Sequence, residues 1–332
     1  MKLASLQLVT LYTLFLLPLA TGDQVVLKNG ITLKGNIVKT NAVAVHLKAN
    51  AGNVLEINRA TIRSIKIKTP KELTYADKSY RRGDFQNSIP SYLKGITMTR
   101  HPVLIADARQ KLVVCYLQIK HPENALDNWL ELLALNTESA LESIEFFLVN
   151  DQAWAPTVAG PAMARLTERE EPEAAIALNI LSALHALKQA KMEEAKAAVG
   201  KLETSTTETE RNCSQFLLGK IALSAGSASR YAKEFEAAAE ELSPAARAYG
   251  SYWVGQSNLK AGKKEEALLA FLWVALLHPE LSAVAGNAMY ESGVLLEAEQ
   301  PAKARNFYMR IIRDHLSSSR VADAKRRLAV LQ

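Results

Sequence analysis

The sequence predicts a mainly α-helical chain, an α-solenoid of about seven helical hairpins preceded by a small five-stranded β-barrel. Two observations carry this. Apolar residues alternate with a period of two from Asp23 to Thr69, then change to a helical period after Pro70 and keep it to the end. Within the helical part, one position that is usually a small residue returns every 35 to 37 residues. The composition agrees: 332 residues, 48% hydrophobic and 22% charged, provide ample material for a core and exclude a disordered chain.

The first element is a leader. "MKLASLQLVTLYTLFLLPLATGDQ" has a positive charge at Lys2, an apolar run from Leu6 to Ala20, and small residues Ala20 and Gly22 before Asp23. That pattern predicts a signal peptide over 1–22 with cleavage before Asp23. The apolar run of 15 residues falls short of the ~20 that span a bilayer. No cysteine lies near the cleavage point, which disfavours a lipoprotein. The chain is thus expected to be exported, to the periplasm or cell envelope, with no transmembrane helix in its mature part.

Residues 23–69 read as the barrel. In "QVVLKNGITLKGNIVK" an Asn29-Gly30 turn separates two alternating runs, a strong hairpin signal that lets Val25, Leu27, Ile31, Leu33 and Ile37 face one core. Val43, Val45 and Leu47 precede a second polar turn, and Leu55 and Ile57 follow it. A short turn at Asn58 to Thr61 leads into a last strand, "IRSIKI". Closing five such strands into a barrel would remove exposed edges. The stretches "VLKNGITLKGNIV" and "INRATIRSI" resemble the Sm-like and SH3-like small barrels, with Arg59-Ala60 where Sm-like proteins carry an Arg-Gly pair for RNA. That departure, and export, lead us to expect no nucleic acid.

This part is strongly basic. From Gln24 to Lys71 nine Lys or Arg face one acid, Glu56, giving +8, while the chain from Glu72 onward carries −2. Alternation sends Lys34 and Lys48 outward, and with Arg59, Arg63, Lys66 and Lys68 they form the candidate basic surface.

Residues 70–318 read as seven helix pairs. The small position recurs at Ser88, Ala125, Gly160, Ala195, Tyr231, Ala267 and Ala304. The first unit shows Ala76, Gly83, Ser88, Tyr92 and Gly95, and the sixth shows Gly255, Gly262, Ala267 and Phe271. The second has Val113, Ala125, Trp129 and Leu132, and the fifth has Gly219, Gly226, Phe235 and Ala238 around a bulky Tyr231. The seventh keeps Ala304 and Tyr308 but has Glu299 at the turn, and the third, around Gly160, Ala164 and Pro172, is marked by spacing alone. This pattern resembles the tetratricopeptide repeat, which implies antiparallel helix pairs, small residues at each crossing, and an aromatic filling the space between neighbours. Residues 319–332 read as a capping helix, with Val321, Ala324, Leu328 and Leu331 inward and Arg320, Lys325, Arg326 and Arg327 outward. With repeats touching only their neighbours, Cys115 and Cys213 are expected as separate buried thiols.

Signals for catalysis are few. The six histidines form no His-Glu-x-x-His; His101, His121 and His278 each precede proline, which places them at helix ends as solvated or capping groups. Acid clusters such as "TEREEPEAA" read as solvated helix starts. No phosphate loop, dinucleotide fingerprint or nucleophile elbow is present. We therefore expect no enzyme, no cofactor, no metal and no catalytic residues. The expected function is a scaffold binding a protein or peptide in the concave groove; the alternative is a module whose basic barrel docks on an anionic envelope glycan or lipid. In the groove, Tyr249, Tyr252 and Gln256 share one helical face, with Lys260 a turn onward and Lys220 at the equivalent place in the preceding unit.

Overall fold

The computed structural model describes residues 23–40, 43–49, 52–150, 156–169, 172–205 and 208–331, so the leader expected over 1–22 lies outside the described residues. The chain forms two compact units, one of residues up to Lys71 together with Met98–Ile105, the other of Glu72–Thr97 and Ala106 onward. The first unit thus takes in a short segment from beyond the expected boundary at residue 69.

In the first unit, strands β1 (Asp23–Leu27), β2 (Thr32–Thr40), β3 (Ala44–Lys48), β4 (Val54–Asn58) and β5 (Ile62–Lys66) form an antiparallel sheet in the order β4-β3-β2-β1-β5. β4 and β5 are its two edges and do not pair among the described residues, so the sheet is open and the expected barrel is not closed. Alternation fixes which face each strand turns inward, but it does not say which edges meet.

The hairpin between β1 and β2 is wider than the expected two-residue turn. Leu27 donates its amide to Ile31 O at 2.8 Å and Gly30 donates to Leu27 O at 3.0 Å, with Gly30 at φ 88°. Here glycine supplies the left-handed residue of a three-residue loop. The core is Val25, Ile37, Val45, Leu47 and Ile57, with Leu27, Leu33 and Val103 packed against it. Ile31, Val43 and Leu55, expected inward, are exposed: Ile31 and Val43 lie just outside their strands, and Leu55 is on edge strand β4. A buried pair anchors the start of β1, where Asp23 accepts a bond from the Ile37 amide at 2.8 Å and meets His101 Nε2 at 2.7 Å. His101 thus sits at a helix end as expected, directly before Pro102, but its ring is held by Asp23 rather than solvated.

The second unit is helical. Its elements are α1 (Lys71–Arg81), α2 (Phe85–Thr97), α3 (Pro102–Gln118, shared at its start with the first unit), α4 (Pro122–Leu135), α5 (Thr137–Glu142), α6 (Glu145–Leu148), α7 (Pro156–Thr167) and α8 (Pro172–Lys188). There follow α9 (Met192–Glu203), α10 (Glu208–Ser224), α11 (Ala228–Ala238), α12 (Pro244–Lys260), α13 (Lys264–Leu277), α14 (Ser282–Leu296), α15 (Pro301–Asp314) and α16 (Val321–Val330). Sequence punctuation explains many of the bounds. Pro122, Pro244 and Pro301 open helices where a missing N–H costs nothing, and Ser243 Oγ caps α12 by accepting from the Ala246 amide. His121 is exposed before α4 as expected, whereas His278 after α13 is buried, its ring centre 4.7 Å from that of Trp273.

The hairpins share one turn. Residues 83, 120, 190, 226 and 262 all have positive φ, from 59° at Ala190 to 79° at Gly262. In each case the following amide donates to a carbonyl five residues back: Asp84 to Ser79, His121 to Tyr116, Lys191 to Ala186, Ser227 to Ala222 and Lys263 to Asn258, all at 2.9 to 3.0 Å. This left-handed helix end satisfies carbonyls the helix leaves open. Three of the five positions are the expected turn glycines; Lys120 and Ala190 adopt the same conformation without glycine. The crossing positions Ser88, Ala125, Ala195, Ala267 and Ala304 are all 0% exposed.

The third unit departs from the others. Its first helix is replaced by the short α5 and α6, and the buried small residues of α7 are Ala159 and Ala162, while Gly160 is half-buried and Ala164 exposed. Asn136 both ends α4 and caps α5, accepting from the Ser139 amide at 3.1 Å. Trp129 Nε1 donates to Ala140 O at 2.9 Å, and its ring meets Phe147 edge-on at 5.8 Å.

Contacts also run beyond nearest neighbours. The Gln118 side-chain amide donates to Leu316 O at 2.9 Å and Ser318 O at 2.7 Å, and Lys325 Nζ lies 5.9 Å from the Phe85 ring centre. The first two hairpins therefore touch the segment that follows the last one, against the expectation of strictly neighbour-to-neighbour packing. In α16, Val321 and Ala324 are buried and Lys325 and Arg326 exposed as expected, but Arg320 and Arg327 are not simply outward. Arg320 pairs with Glu291 at 3.4 Å, and Arg327 pairs with Glu297 at 2.6 Å and donates to Tyr290 OH at 3.0 Å.

Candidate functional site

The helical unit forms a cavity of about 880 Å³ that is partly open to solvent. Its walls come from α1, α3, α10 and α12, the turn before α14, the end of α15, and the α5–α6 segment. First helices of several hairpins thus line it, but the inserted segment forms part of its wall. Ile144, Phe147 and Leu148 hold that segment in place, each 2% exposed or less.

Glu145, in the middle of this apolar run, is the most unusual side chain of the cavity. It is 7% exposed, it lines the cavity, and its Oε2 meets no hydrogen-bond partner among the described residues. Its carboxyl accepts from the Ala283 backbone amide in the first turn of α14, a position where helix N–H groups lack internal partners. Burial pushes its pKa up to about 8, with the nearby Glu280 acting in the same direction and the Ala283 amide opposing. Most other charges of the wall are paired. Lys111 is held by Asp77 at 2.7 Å and Asp107 at 2.8 Å, Arg313 by Asp314 at 2.7 Å, and Glu280 by His278 at 3.2 Å.

The five residues expected in the groove separate. Tyr249 lines the large cavity, whereas Tyr252, Gln256 and Lys220 line a second one of about 360 Å³. Lys260 stands apart and donates to Leu223 O at 3.4 Å. Both tyrosines are 6% exposed and pack on Phe216, Tyr249 edge-on at 5.6 Å and Tyr252 stacked at 6.4 Å, so much of their surface serves the contact between α10 and α12. Burial raises both phenols above their ordinary range. Gln256 Nε2 donates to Tyr252 OH at 3.3 Å. The second cavity also presents Arg320 and Trp253, whose Nε and Nε1 are buried without partners among the described residues.

On the sheet, Lys34, Lys48, Arg59, Arg63, Lys66 and Lys68 are all exposed. Cross-strand register sets Lys34 and Lys66 on either side of Gln24, and Lys48 opposite Asn36. Side chains opposite one another across strands share a face, so Lys34 and Lys66 charge the same side of the sheet.

The two thiols are free and buried, and burial pushes both up to about 12, which leaves little thiolate for chemistry. Among the described residues, no group of three or more His, Cys, Asp or Glu side chains is placed to hold a metal ion. Nor is any described helix long and apolar enough to cross a membrane. Glu145 escaped the sequence reading, though a signal existed: a lone acid inside "SIEFFLV" is a local conflict that burial turns into chemistry. No protein-family model matches the chain, and no curated protein matches it.

Proposed function

We propose that the helical unit is an α-solenoid of the tetratricopeptide type and that the protein is a non-catalytic scaffold of the cell envelope, binding a protein or peptide partner on its inner surface. One observation carries this reading: first helices of several hairpins line a cavity of about 880 Å³ and a second of about 360 Å³. The shared left-handed turn at residues 83, 120, 190, 226 and 262 supports the repeat, because one backbone geometry recurs where the sequence offers three different residue types. The test is photo-crosslinking with a benzophenone amino acid at Gln256 on the inner surface, compared with Lys233 on an exposed face of α11. In a native envelope fraction, label at Gln256 captures a discrete species and label at Lys233 does not. Equal capture at both positions, or none at either, refutes the reading.

A second reading rests on the sheet. Lys34, Lys48 and Lys66 are exposed on a unit with few acids, which favours docking on an anionic glycan or lipid surface. The full chain carrying K34E, K48E and K66E together should lose retention on anionic vesicles at low salt, and parent retention should fall as salt rises. Retention that ignores both changes removes this reading.

A further inference from the structure

We infer that the large cavity of the helical unit binds a primary alkylammonium group, held at the free carboxyl oxygen of Glu145 with its apolar chain against Val114, Leu141 and Ile144. This deepens the partner-binding reading and rests on it.

A buried acceptor left without a partner is costly, and native structures usually supply one. Glu145 Oε2 lacks one among the described residues, yet the side chain borders a space large enough for a sizeable ligand. The wall charges narrow the ligand's sign. Lys111 and Arg313 are already held by acids, Glu280 is held by His278, and Arg81 and Glu142 are exposed. No wall cation is thereby placed on Glu145, and Glu280 adds negative potential beside it.

The geometry also narrows the shape of the cation. The Ala283 amide already engages the carboxyl, which leaves one oxygen rather than two. A guanidinium fork is matched to both oxygens of a carboxylate, whereas an ammonium is a point donor that one oxygen satisfies. Val114, Leu141 and Ile144 line the same cavity and offer apolar surface to the chain behind the ammonium. The source is either a lysine side chain of a partner peptide or a free alkylamine, and the chemistry at Glu145 is the same for both.

Ionisation supplies a distinctive readout. With its pKa pushed up to about 8, Glu145 holds its proton at neutral pH, and an arriving ammonium favours the carboxylate. Binding should therefore release a proton from Glu145, and affinity should rise as pH climbs toward the carboxyl's own titration.

The experiment is calorimetric titration of the full chain with n-hexylammonium and with n-hexanol, its neutral counterpart, in buffers of different ionisation enthalpy. A short capped peptide with one lysine among leucines is run beside its norleucine twin. Hexylammonium should bind at least about tenfold more tightly than hexanol, with proton release. E145Q should keep the parent's circular dichroism while losing both the preference and the release. Equal binding of amine and alcohol, unchanged preference in E145Q, or no binding of either amine or lysine peptide overturns the proposal. If E145Q does not fold, the parent alone decides: affinity for hexylammonium that stays flat from acid to alkaline pH overturns it. Binding of hexylammonium without the peptide supports the site with a free amine as its source. Partner capture at Gln256 with no amine binding overturns the ammonium site and leaves the scaffold reading standing; amine binding with no capture does the reverse.

Discussion

Replacing Gly255 and Gly200 by alanine, one at a time, separates helix propensity from packing. Both glycines lie inside helices, Gly255 in α12 and Gly200 in α9, so each substitution gains about 0.5–1 kcal/mol from the lower flexibility of alanine. Their surroundings differ. A methyl at Gly255 would lie 2.6 Å from Phe271 Cε1 and 2.8 Å from Cδ1, while a methyl at Gly200 would meet nothing within 4 Å. Phe271 has little room to retreat: it is 0% exposed, and its ring centre lies 5.8 Å from that of Tyr252.

Overpacking of this kind costs about 1–3 kcal/mol, which exceeds or cancels the propensity gain. Gly200→Ala should therefore raise stability, while Gly255→Ala lowers it or leaves it unchanged, the two differing by about 1–3 kcal/mol. Urea denaturation followed by far-ultraviolet circular dichroism measures both. Combining Gly255→Ala with Phe271→Leu should recover part of the loss, since contacting residues couple by about 0.5–3 kcal/mol. Equal stabilisation by both alanines, or no coupling with Phe271, would refute the close approach of α12 and α13 at this crossing.

Three further expectations follow from the same structure. Lys120→Gly and Ala190→Gly should each stabilise the protein, by up to about 1–2 kcal/mol, because φ values of 64° and 59° strain any residue with a Cβ; a loss in thermal melts for both would show that the turns are not left-handed. Cys115 and Cys213, their thiols pushed up to about 12 by burial, should react slowly with a disulfide reagent in the folded protein and promptly in denaturant, and fast reaction of both when folded would contradict their burial. Glu145 should make stability fall with pH: its folded pKa of about 8 lies above the ordinary carboxylate value of 4.5, so its contribution is complete below that value and is lost as pH rises through about 8. E145Q should flatten that slope in denaturation measured across the window, and an unchanged slope would assign it to other groups.

How much of this was legible in sequence depends on whether a feature is local. Alternation placed Val25, Ile37, Val45, Leu47 and Ile57 in one core because strand parity is set residue by residue. It could not say that β4 and β5 stay apart, since edge pairing depends on how strands twist and tilt together. Spacing found the hairpins because a crossing favours small side chains, Tyr231 being the exception, and Ala125, Ala195 and Ala267 are fully buried there. The turns at Lys120 and Ala190 were invisible because the hydrogen bonds of the helix end can impose a left-handed residue where no glycine advertises it.

The third unit shows why spacing alone can mislead. A 35-residue step lands on Gly160, but the buried small residues of α7 are Ala159 and Ala162. Register there is set by what α7 packs on, and its expected partner helix is broken into α5 and α6. That break has a local cause. Asn136 starts α5 by capping it, Ser143 ends it, its hydroxyl donating to Ala140 O at 2.8 Å, and Trp129 ties the segment down through Ala140 O and the Phe147 ring. Once the segment turns its apolar residues inward, Glu145 is carried in with them and left only 7% exposed, so its carboxyl is drawn to partners inside the protein. The Ala283 amide is one partner, and the oxygen left over is buried without one among the described residues. The irregular third unit and the buried acid are therefore one feature: the same short, broken segment that sets this unit apart from its neighbours is what places a titratable group in the cavity wall.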